Sequence, residues 1–230
     1  AQKKMSAGDT AGAYAESESA LGLSRTASEK SAVYFLKGQI AESELDYSAA
    51  VEFYRTAGSF ANLTPHQRTD ALWRLAEVCI KLRDYSAARE IFQKTISDPG
   101  LSEALRIGAF MNMARSYELQ GDWENLLKTC TLIQEKQNIP LSFQSTLLAM
   151  SGNALAEMRK FDLARAEYAK AAALKDIPAA DKLNSLFASA KTYEMQNNPA
   201  AAREIYSKIA SDPAASTKMK IKAFIASGDT

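Results

Sequence analysis

The stretch that decides the fold is A-R-E-I-F-Q-K-T-I-S-D-P at residues 88–99, which returns as A-R-E-I-Y-S-K-I-A-S-D-P at residues 202–213. The two copies lie 114 residues apart. A second pair, A-R-S-Y-E-L-Q at 114–120 and A-K-T-Y-E-M-Q at 190–196, lies 76 residues apart. Both offsets are multiples of 38, so we predict a 38-residue repeat. A repeat of this length is typical of an array of small structural units.

From Ser31 onward the chain can be divided into successive repeats of 38 residues without insertions. Ser31 is position 1 of the first repeat, and the same numbering is used in every repeat. Within it, position 8 always holds Gly or Ala and position 4 always holds a large apolar residue. Position 20 is Ala in four of five repeats, and position 24 is aromatic in four of five. Tiny residues at helical spacing favour a close approach of two helix backbones. We expect the bulky residues at positions 4, 17 and 24 to fill the space around that approach.

Short breaks divide each repeat into two helices. They fall at residues 45–46, 83–84, 121–122, 159–160 and 197–198, where Asp or Asn in four of the five is suited to cap the second helix. Pro199 suits the first turn of a helix. The other five prolines fall between repeats, where they end one helix pair and begin the next.

These columns resemble those of the tetratricopeptide repeat, although that family has a usual period of about 34 residues. The resemblance implies an all-α fold, a right-handed solenoid of antiparallel helix pairs in which each pair touches only its neighbours. We predict one domain over residues 1–230 and expect it to be a fragment of a longer protein. Its predicted parts are a partial repeat at 1–30, full repeats at 31–68, 69–106, 107–144, 145–182 and 183–220, and a partial repeat at 221–230.

The same resemblance implies that the first helices line a concave groove. Apolar residues recur along this groove with charged residues beside them, an arrangement that suits a bound peptide or a helix of a partner protein. Trp is enriched among the interface residues that contribute most to binding. The alternative is that neighbouring first helices, or a capping helix, partly shield position 5 of the repeat, where Phe35, Trp73, Met111 and Phe187 stand. The predicted groove residues are Phe35, Gln39, Glu42, Trp73, Glu77, Met111, Arg115, Glu118, Asn153, Phe187, Lys191 and Glu194.

Composition excludes several classes of function. Lys and Arg number 28 against 27 Asp and Glu, so we expect no nucleic-acid partner. No apolar run approaches the length of a membrane span, and we expect no direct membrane insertion. With one His and two Cys we predict no metal, no cofactor and no enzyme activity. His66 is expected in a solvated loop, and Cys79 and Cys130 are expected to be buried free thiols.

We therefore expect a non-catalytic scaffold, of bacterial type, that binds a protein or peptide partner in its groove. Two alternatives stay open. The chain is an accessory or regulatory domain of a larger enzyme or signalling protein, or it is a self-assembly module that forms homo-oligomers. A cytoplasmic and a periplasmic location in the bacterial envelope stay equally open.

Overall fold

The computed structural model of the protein describes residue 4, residues 8–136 and residues 139–228. Within these ranges the chain forms α-helices and short connections, without a β-strand. The twelve helices whose bounds are described are α1 (Thr10–Leu23), α2 (Ala27–Ser43), α3 (Tyr47–Ser59), α4 (Pro65–Lys81), α5 (Tyr85–Ile96), α6 (Glu103–Gln120), α7 (Trp123–Gln134), α8 (Leu141–Glu157), α9 (Phe161–Ala173), α10 (Ala179–Met195), α11 (Pro199–Ser211) and α12 (Thr217–Ser227).

The 38-residue period is confirmed by the helix starts. The first helices of the repeats, α2, α4, α6, α8, α10 and α12, each begin 38 residues after the previous one. The second helices, α3, α5, α7, α9 and α11, keep the same interval. The frame numbered from Ser31 therefore starts about one turn inside each first helix.

The partial repeats at the two ends follow the same scheme. α1 corresponds to a second helix, since its Ala13 and Ser17 are buried like the residues at positions 20 and 24. α12 corresponds to a first helix. The remainder of residues 1–7, apart from Lys4, and residues 229–230 lie outside the described residues.

Each described repeat turns between its two helices in the same way. The residues at 45, 83, 121, 159 and 197 have positive φ values between 59° and 77°, and only one of the five is glycine. The next N–H bonds back to the first helix, as in the 2.9 Å bond from the Asp46 N–H to the Ala41 carbonyl. The left-handed conformation disfavours a non-glycine residue by about 1–2 kcal/mol. Packing of the helix pair therefore holds these turns.

Capping residues begin most of the second helices. The side chains of Asp46, Asp84, Asp122 and Asn198 each accept a hydrogen bond from the backbone N–H three residues on. Lys160 stands at the same place before α9 and makes no such bond. The capping prediction is confirmed for the four Asp and Asn residues, and Pro199 does occupy the first turn of α11.

The chain divides into two compact units, residues 1–116 and residues 117–230. In the first unit α2 packs against α3, α3 against α4 and α4 against α5, around a core that includes Ile40, Tyr54 and Phe92. In the second unit α8 packs against α7 and α9, and α10 against α9 and α11. Leu147 and Tyr206 lie in the core of that unit. Connections of two or three residues make the two helices of a pair antiparallel.

The packing columns are confirmed at positions 20 and 24, where every residue is at most 3% exposed. Positions 4 and 17 are more exposed than predicted. Position 4 is half-buried in four repeats, 37% exposed at Leu186 and 50% exposed at Phe224, and position 17 is half-buried in four repeats and exposed at Pro199. In most repeats the first helices bury positions 3, 7 and 10 on one side and positions 1 and 8 on another. Successive residues of an α-helix are rotated by about 100°, so the side chain at position 4 points between these two buried faces, at a boundary that we call the seam.

Three further residues were singled out by the sequence. Cys79 and Cys130 are buried free thiols, as predicted. His66 is exposed, but it lies in the first turn of α4 rather than in a loop, with Nδ1 2.8 Å from the Asp70 carboxylate. The preceding Thr64 caps α4 and so starts the helix before the histidine. None of the helices described is both long and apolar enough to cross a membrane.

Candidate functional site: the open faces of the first helices

In the first unit, α2 and α4 form a cleft of about 270 Å³. Phe35 is half-buried in its wall, and its ring meets Tyr54 edge-on with the centroids 5.4 Å apart. The cleft thus brings together Phe35 and Gln39, two of the predicted groove residues, with acidic and amide groups at its rim. Its lining residues are Ser31, Ala32, Phe35, Leu36, Gln39, Gln67 and Asp70.

Glu42 ties three helices together in the first unit. Its carboxylate is only 12% exposed, and it accepts hydrogen bonds of 2.6 Å from the Tyr54 hydroxyl and of 2.6 Å from Lys81 Nζ. Burial, together with this carboxylate, raises the pKa of Tyr54, so the hydroxyl stays protonated and donates. The predicted groove carboxylate is therefore held in one orientation by α3 and α4.

Trp73 is half-buried in α4 and packs its indole over Gly108, where a Cβ atom would come within 2.9 Å of Cη2. Its Nε1 is buried without a hydrogen-bond partner among the described residues. Glu77 is exposed and pairs with Arg74 at 3.1 Å. Met111 is half-buried and Arg115 is exposed. These four predicted residues lie in the first unit.

In the second unit, two adjoining clefts run beside α8 and α10. One of about 270 Å³ includes three predicted residues, Glu118, Asn153 and Lys191, together with the aromatic rings of Trp123 and Tyr168. The other, of about 280 Å³, is lined by small and polar residues. The two clefts share Asn153 and Ala188, so they form a continuous surface. The lining residues of the second cleft are Ser145, Thr146, Ala149, Asn153, Asp181, Asn184, Ser185 and Ala188.

Asn153 lies where the two clefts meet and is oriented by its neighbours. The Tyr168 hydroxyl donates to Asn153 Oδ1 at 2.8 Å, and Asn153 Nδ2 donates to Glu118 at 3.3 Å. Burial raises the pKa of Tyr168 and keeps this hydroxyl a donor. The side chain of Asn153 remains exposed, so its free donor and acceptor sites face the cleft in a fixed orientation.

The remaining two predicted groove residues of the second unit differ in exposure. Phe187 is 5% exposed, packs against Tyr206 with the centroids 4.8 Å apart and has Lys222 Nζ 4.3 Å above its ring. Its ring is therefore part of the core between α10 and α11 and is not accessible to a partner. Glu194 is exposed. Burial, and after it the charge of Glu194, raises the pKa of Tyr206.

The described residues contain no group of three or more His, Cys, Asp or Glu side chains that could hold a metal ion. Burial raises the pKa of both thiols, and that of Cys130 to about 11. Both cysteines are therefore protonated near neutral pH and poorly reactive, because the thiolate is the nucleophile. The clefts offer hydrogen-bonding and apolar surface.

Sequence reasoning missed two features of these faces. Asp70 and Asn184 line the clefts, and both stand at position 2 of the repeat, so the repeat frame could have found them. Lys37 is 4% exposed in place of an apolar residue and pairs with Glu18 at 2.5 Å. Three aromatic rings surround its ammonium, with centroids 5.2–5.6 Å away, from Tyr14, Tyr34 and Phe53. This lysine joins α1 to α2 and belongs to the core.

Comparison with known proteins places the fold among helical repeats. The family model of the tetratricopeptide repeat matches residues 69–97. No curated protein matches the sequence. The apo form of RapI is similar in structure with a TM-score of 0.77 at 14% identity, over 96% of this chain and 64% of RapI. A tetratricopeptide repeat protein of Thermus thermophilus gives a TM-score of 0.54 at 18% identity, over 85% of this chain and 98% of that protein.

A Rap protein complexed with Competence and Sporulation Factor gives a TM-score of 0.52 at 12% identity, over 91% of this chain and 58% of that protein. The chain thus spans less than two thirds of RapI and of this Rap protein. At such identities the likeness is one of fold. The chain is an all-α array of helical repeats that resembles tetratricopeptide repeat proteins in fold.

Proposed function

We propose that this chain is a non-catalytic scaffold that binds a peptide or a helix of a partner protein along its first helices. The observation that carries the proposal is the pair of adjoining clefts in the second unit. Asn153 is fixed at their junction by Tyr168 and Glu118. The fold shared with the Rap protein complexed with Competence and Sporulation Factor also supports a binding function.

The chemistry of the clefts favours a polypeptide ligand. A side-chain amide offers a donor and an acceptor, which are the two groups that each peptide unit of an extended segment presents. Asn153 and Asn184 supply two such amides, while Ala149 and Ala188 leave room for a backbone to approach. The near-neutral charge of the chain favours neither nucleic acid nor an anionic surface.

The first unit offers a second contact area with different chemistry. The half-buried ring of Phe35 supplies apolar surface beside Gln39, and Asp70 supplies a negative charge. The exposed or half-buried charged and apolar residues around the first helices set the orientation of the partner. In this role we place Trp73, Glu77, Met111, Arg115, Lys191 and Glu194.

Site-specific photo-crosslinking tests the proposal. Benzoyl-phenylalanine is introduced in place of Thr146, an exposed residue that lines the second-unit cleft. A matched probe replaces Leu132, which is 54% exposed on α7 and lines none of these clefts. After illumination in a lysate of the source organism, we expect a protein adduct from position 146 and a much weaker one from position 132.

The adduct must also depend on the cleft. We expect Asn153→Leu to reduce it at least tenfold while the helical circular dichroism is unchanged. Equal adducts from the two probe positions would contradict the proposal, as would adducts only between copies of this chain. The second of these results would favour the self-assembly alternative.

A further inference from the structure

The first unit shows how two neighbouring repeats hold a cation. Lys81 Nζ donates to the Glu42 carboxylate at 2.6 Å and lies 5.3 Å from the centroid of the Tyr47 ring. Glu42 stands at position 12 and Tyr47 at position 17 of the first repeat, whereas Lys81 stands at position 13 of the second. A carboxylate and an aromatic ring of one repeat therefore hold an ammonium group that comes from the next first helix.

The third repeat carries the same two groups, but the cation of the next repeat is replaced by an anion. Glu118 stands at position 12 and Trp123 at position 17 of the third repeat. Position 13 of the fourth repeat, the equivalent of Lys81, is Glu157. All three residues line one cleft of the second unit. Two carboxylates and an aromatic ring therefore lie around the place that corresponds to the ammonium group of Lys81.

Both carboxylates are accessible and lack an ion-pair partner among the described residues. Glu118 is half-buried and Glu157 is exposed. Neither forms a salt bridge within the described part of the chain, whereas Glu42 is paired with Lys81. Burial, and after it the charges of Glu157 and Glu118, raises the pKa of Tyr168, so both charges act on the same hydroxyl. Like charges in one cleft repel each other, and a cation between them removes this repulsion.

The basic residue that lines this cleft does not take the place of Lys81. Lys191 stands at position 9 of α10, one first helix beyond Glu157, and it forms no salt bridge among the described residues. The described residues that line the two adjoining clefts include three carboxylates, of Glu118, Glu157 and Asp181, against this one ammonium group. The charge of the clefts therefore favours a basic ligand over an acidic one.

A guanidinium group fits this end of the clefts better than an ammonium group. It is planar and stacks on aromatic rings, and its N–H groups can be shared between two carboxylates. The half-buried ring of Trp123 supplies the surface for stacking. Met195, which is 43% exposed in the same cleft, supplies apolar surface for the aliphatic part of an arginine side chain.

We propose that the clefts of the second unit select a peptide segment that contains an arginine. Its guanidinium group lies between Glu118 and Glu157 and stacks on Trp123. The inference rests on the proposed function, because Asn153, which donates to Glu118 at 3.3 Å, holds the backbone of the same peptide. Lysine at this place in the peptide binds more weakly than arginine, and a neutral or acidic residue binds more weakly still.

Peptide pools with one defined residue test this preference. Four pools of capped, dye-labelled heptapeptides carry Arg, Lys, Leu or Glu at the central position and mixtures of uncharged residues elsewhere. Each pool is passed over the intact 230-residue chain on beads, and the retained dye is measured. We expect the arginine pool to be retained about tenfold more strongly than the leucine pool, and the glutamate pool least. The excess of the arginine pool is expected to shrink at high salt.

Variants of the protein locate the preference. We expect Glu118→Gln and Glu157→Gln each to reduce the excess of the arginine pool over the leucine pool, and the double change to abolish it. Retention of the leucine pool stays the same, because glutamine preserves the shape of the cleft. The matched control is Glu135→Gln, which changes an exposed carboxylate of the second unit that lines neither cleft. We expect this control to leave the excess unchanged.

A further variant has a readout that needs no peptide. Glu157→Lys places a lysine where the second repeat has Lys81. We expect it to raise Tm by about 1–3 °C relative to Glu157→Gln, because the new ammonium group pairs with Glu118. It should also abolish the preference for the arginine pool. A Tm at or below that of Glu157→Gln would show that residue 157 does not reach Glu118 and would overturn the inference.

Three results with the pools would overturn the inference, and they separate it from the proposed function. Equal retention of the four pools, reduced throughout by Asn153→Leu, would remove the preference for arginine and leave peptide binding in place. An excess of the arginine pool that survives the double Gln variant would place the basic side chain elsewhere. Retention of no pool above bare beads would also refute the selection of arginine, while the proposed function is decided separately by the crosslink from position 146.

Discussion

Gly152→Ala is expected to destabilise the second unit although alanine is the better helix former. A Cβ atom at residue 152 would lie 2.5 Å from Cε1 and 2.7 Å from Cδ1 of Tyr168, where ordinary contacts are 3.4–4 Å. The ring must therefore retreat by about 1 Å, which forces side chains out of their preferred packing. The retreat also moves the Tyr168 hydroxyl away from Asn153, to which it donates at 2.8 Å.

The magnitude follows from three terms. Overpacking of a dense core destabilises by about 1–3 kcal/mol, and the weakened hydrogen bond contributes about 1 kcal/mol. The higher helix propensity of alanine offsets about 1 kcal/mol of this destabilisation. The net loss is about 1–3 kcal/mol. The fifth repeat already combines Ala190 with Tyr206, and both residues are fully buried.

Thermal unfolding followed by circular dichroism measures this loss. For a chain of this length, about 1 kcal/mol corresponds to about 2–4 °C in Tm, so we expect a fall of about 2–12 °C. Gly22→Ala is the matched control, because no atom lies within 4 Å of its added Cβ; we expect it to leave Tm unchanged or to raise it. In a Tyr168→Ala background, Gly152→Ala is expected to become favourable. A Tm that is unchanged or raised by Gly152→Ala alone would refute the reasoning.

Three further changes have defined outcomes. Lys160→Asp supplies the side-chain cap that α9 lacks, and we expect it to stabilise the protein by about 1 kcal/mol in urea unfolding. Asp84→Lys removes the cap of α5 and lowers stability; urea midpoints equal to that of the unchanged protein would contradict both expectations. Arg83→Gly removes the strain of a positive φ of 60° at a non-glycine residue. We expect it to stabilise the protein by about 0.5–1 kcal/mol, after subtraction of the greater freedom of glycine in the unfolded chain. A lower urea midpoint would show that the contacts of the arginine side chain outweigh the backbone strain. The pKa of Cys130 is raised to about 11, so its neutral thiol stabilises the fold below the unfolded pKa of about 8.5, and this stabilisation is lost as the pH rises toward 11. We therefore expect the Tm difference between the unchanged protein and Cys130→Ala to shrink from pH 8 to pH 11; a constant difference would argue against a buried neutral thiol.

Much of the fold could be predicted because the same packing of two helices recurs in five full repeats, so each position can be compared across five residues. Position 24 could be assigned to the core from Tyr54, Phe92, Tyr168 and Tyr206 together, since chance does not place four aromatic residues in one column. The helix breaks could be located because Asp and Asn recur where a cap is needed. The 38-residue interval between helix starts follows from these two regularities.

Orientation around a helix was harder to predict than its position along the chain. Position 4 is apolar in every repeat, yet it points at a seam rather than into the core, because two helices flank the first helix and leave space between them. Apolar character alone does not distinguish these directions. The same limitation placed Phe187 in the groove, whereas its contact with Tyr206 places it in the core.

The candidate site was predictable only in part. The frame selected Asn153 and Phe35, which do line clefts, but could not show that Tyr168 and Tyr54 reach out of the core to the polar residues beside those clefts. Such bonds join residues 12 or 15 apart and depend on how far one helix is rotated against the next. The buried Lys37 likewise requires Glu18 and three rings from different helices, an arrangement without a local sequence signal.

The near-neighbour packing of the helices has a consequence for how the chain reaches its fold. Most helix contacts join elements that follow each other directly, and the more distant ones, such as those of α2 with α4, skip a single helix. Forming a contact between neighbouring helices closes only a short loop of chain. Little conformational entropy is therefore lost before the first apolar side chains are buried. Domains with contacts of this range fold in microseconds to milliseconds. We therefore expect rapid folding that starts at more than one helix pair, and a growing chain that can bury each pair soon after it is synthesised.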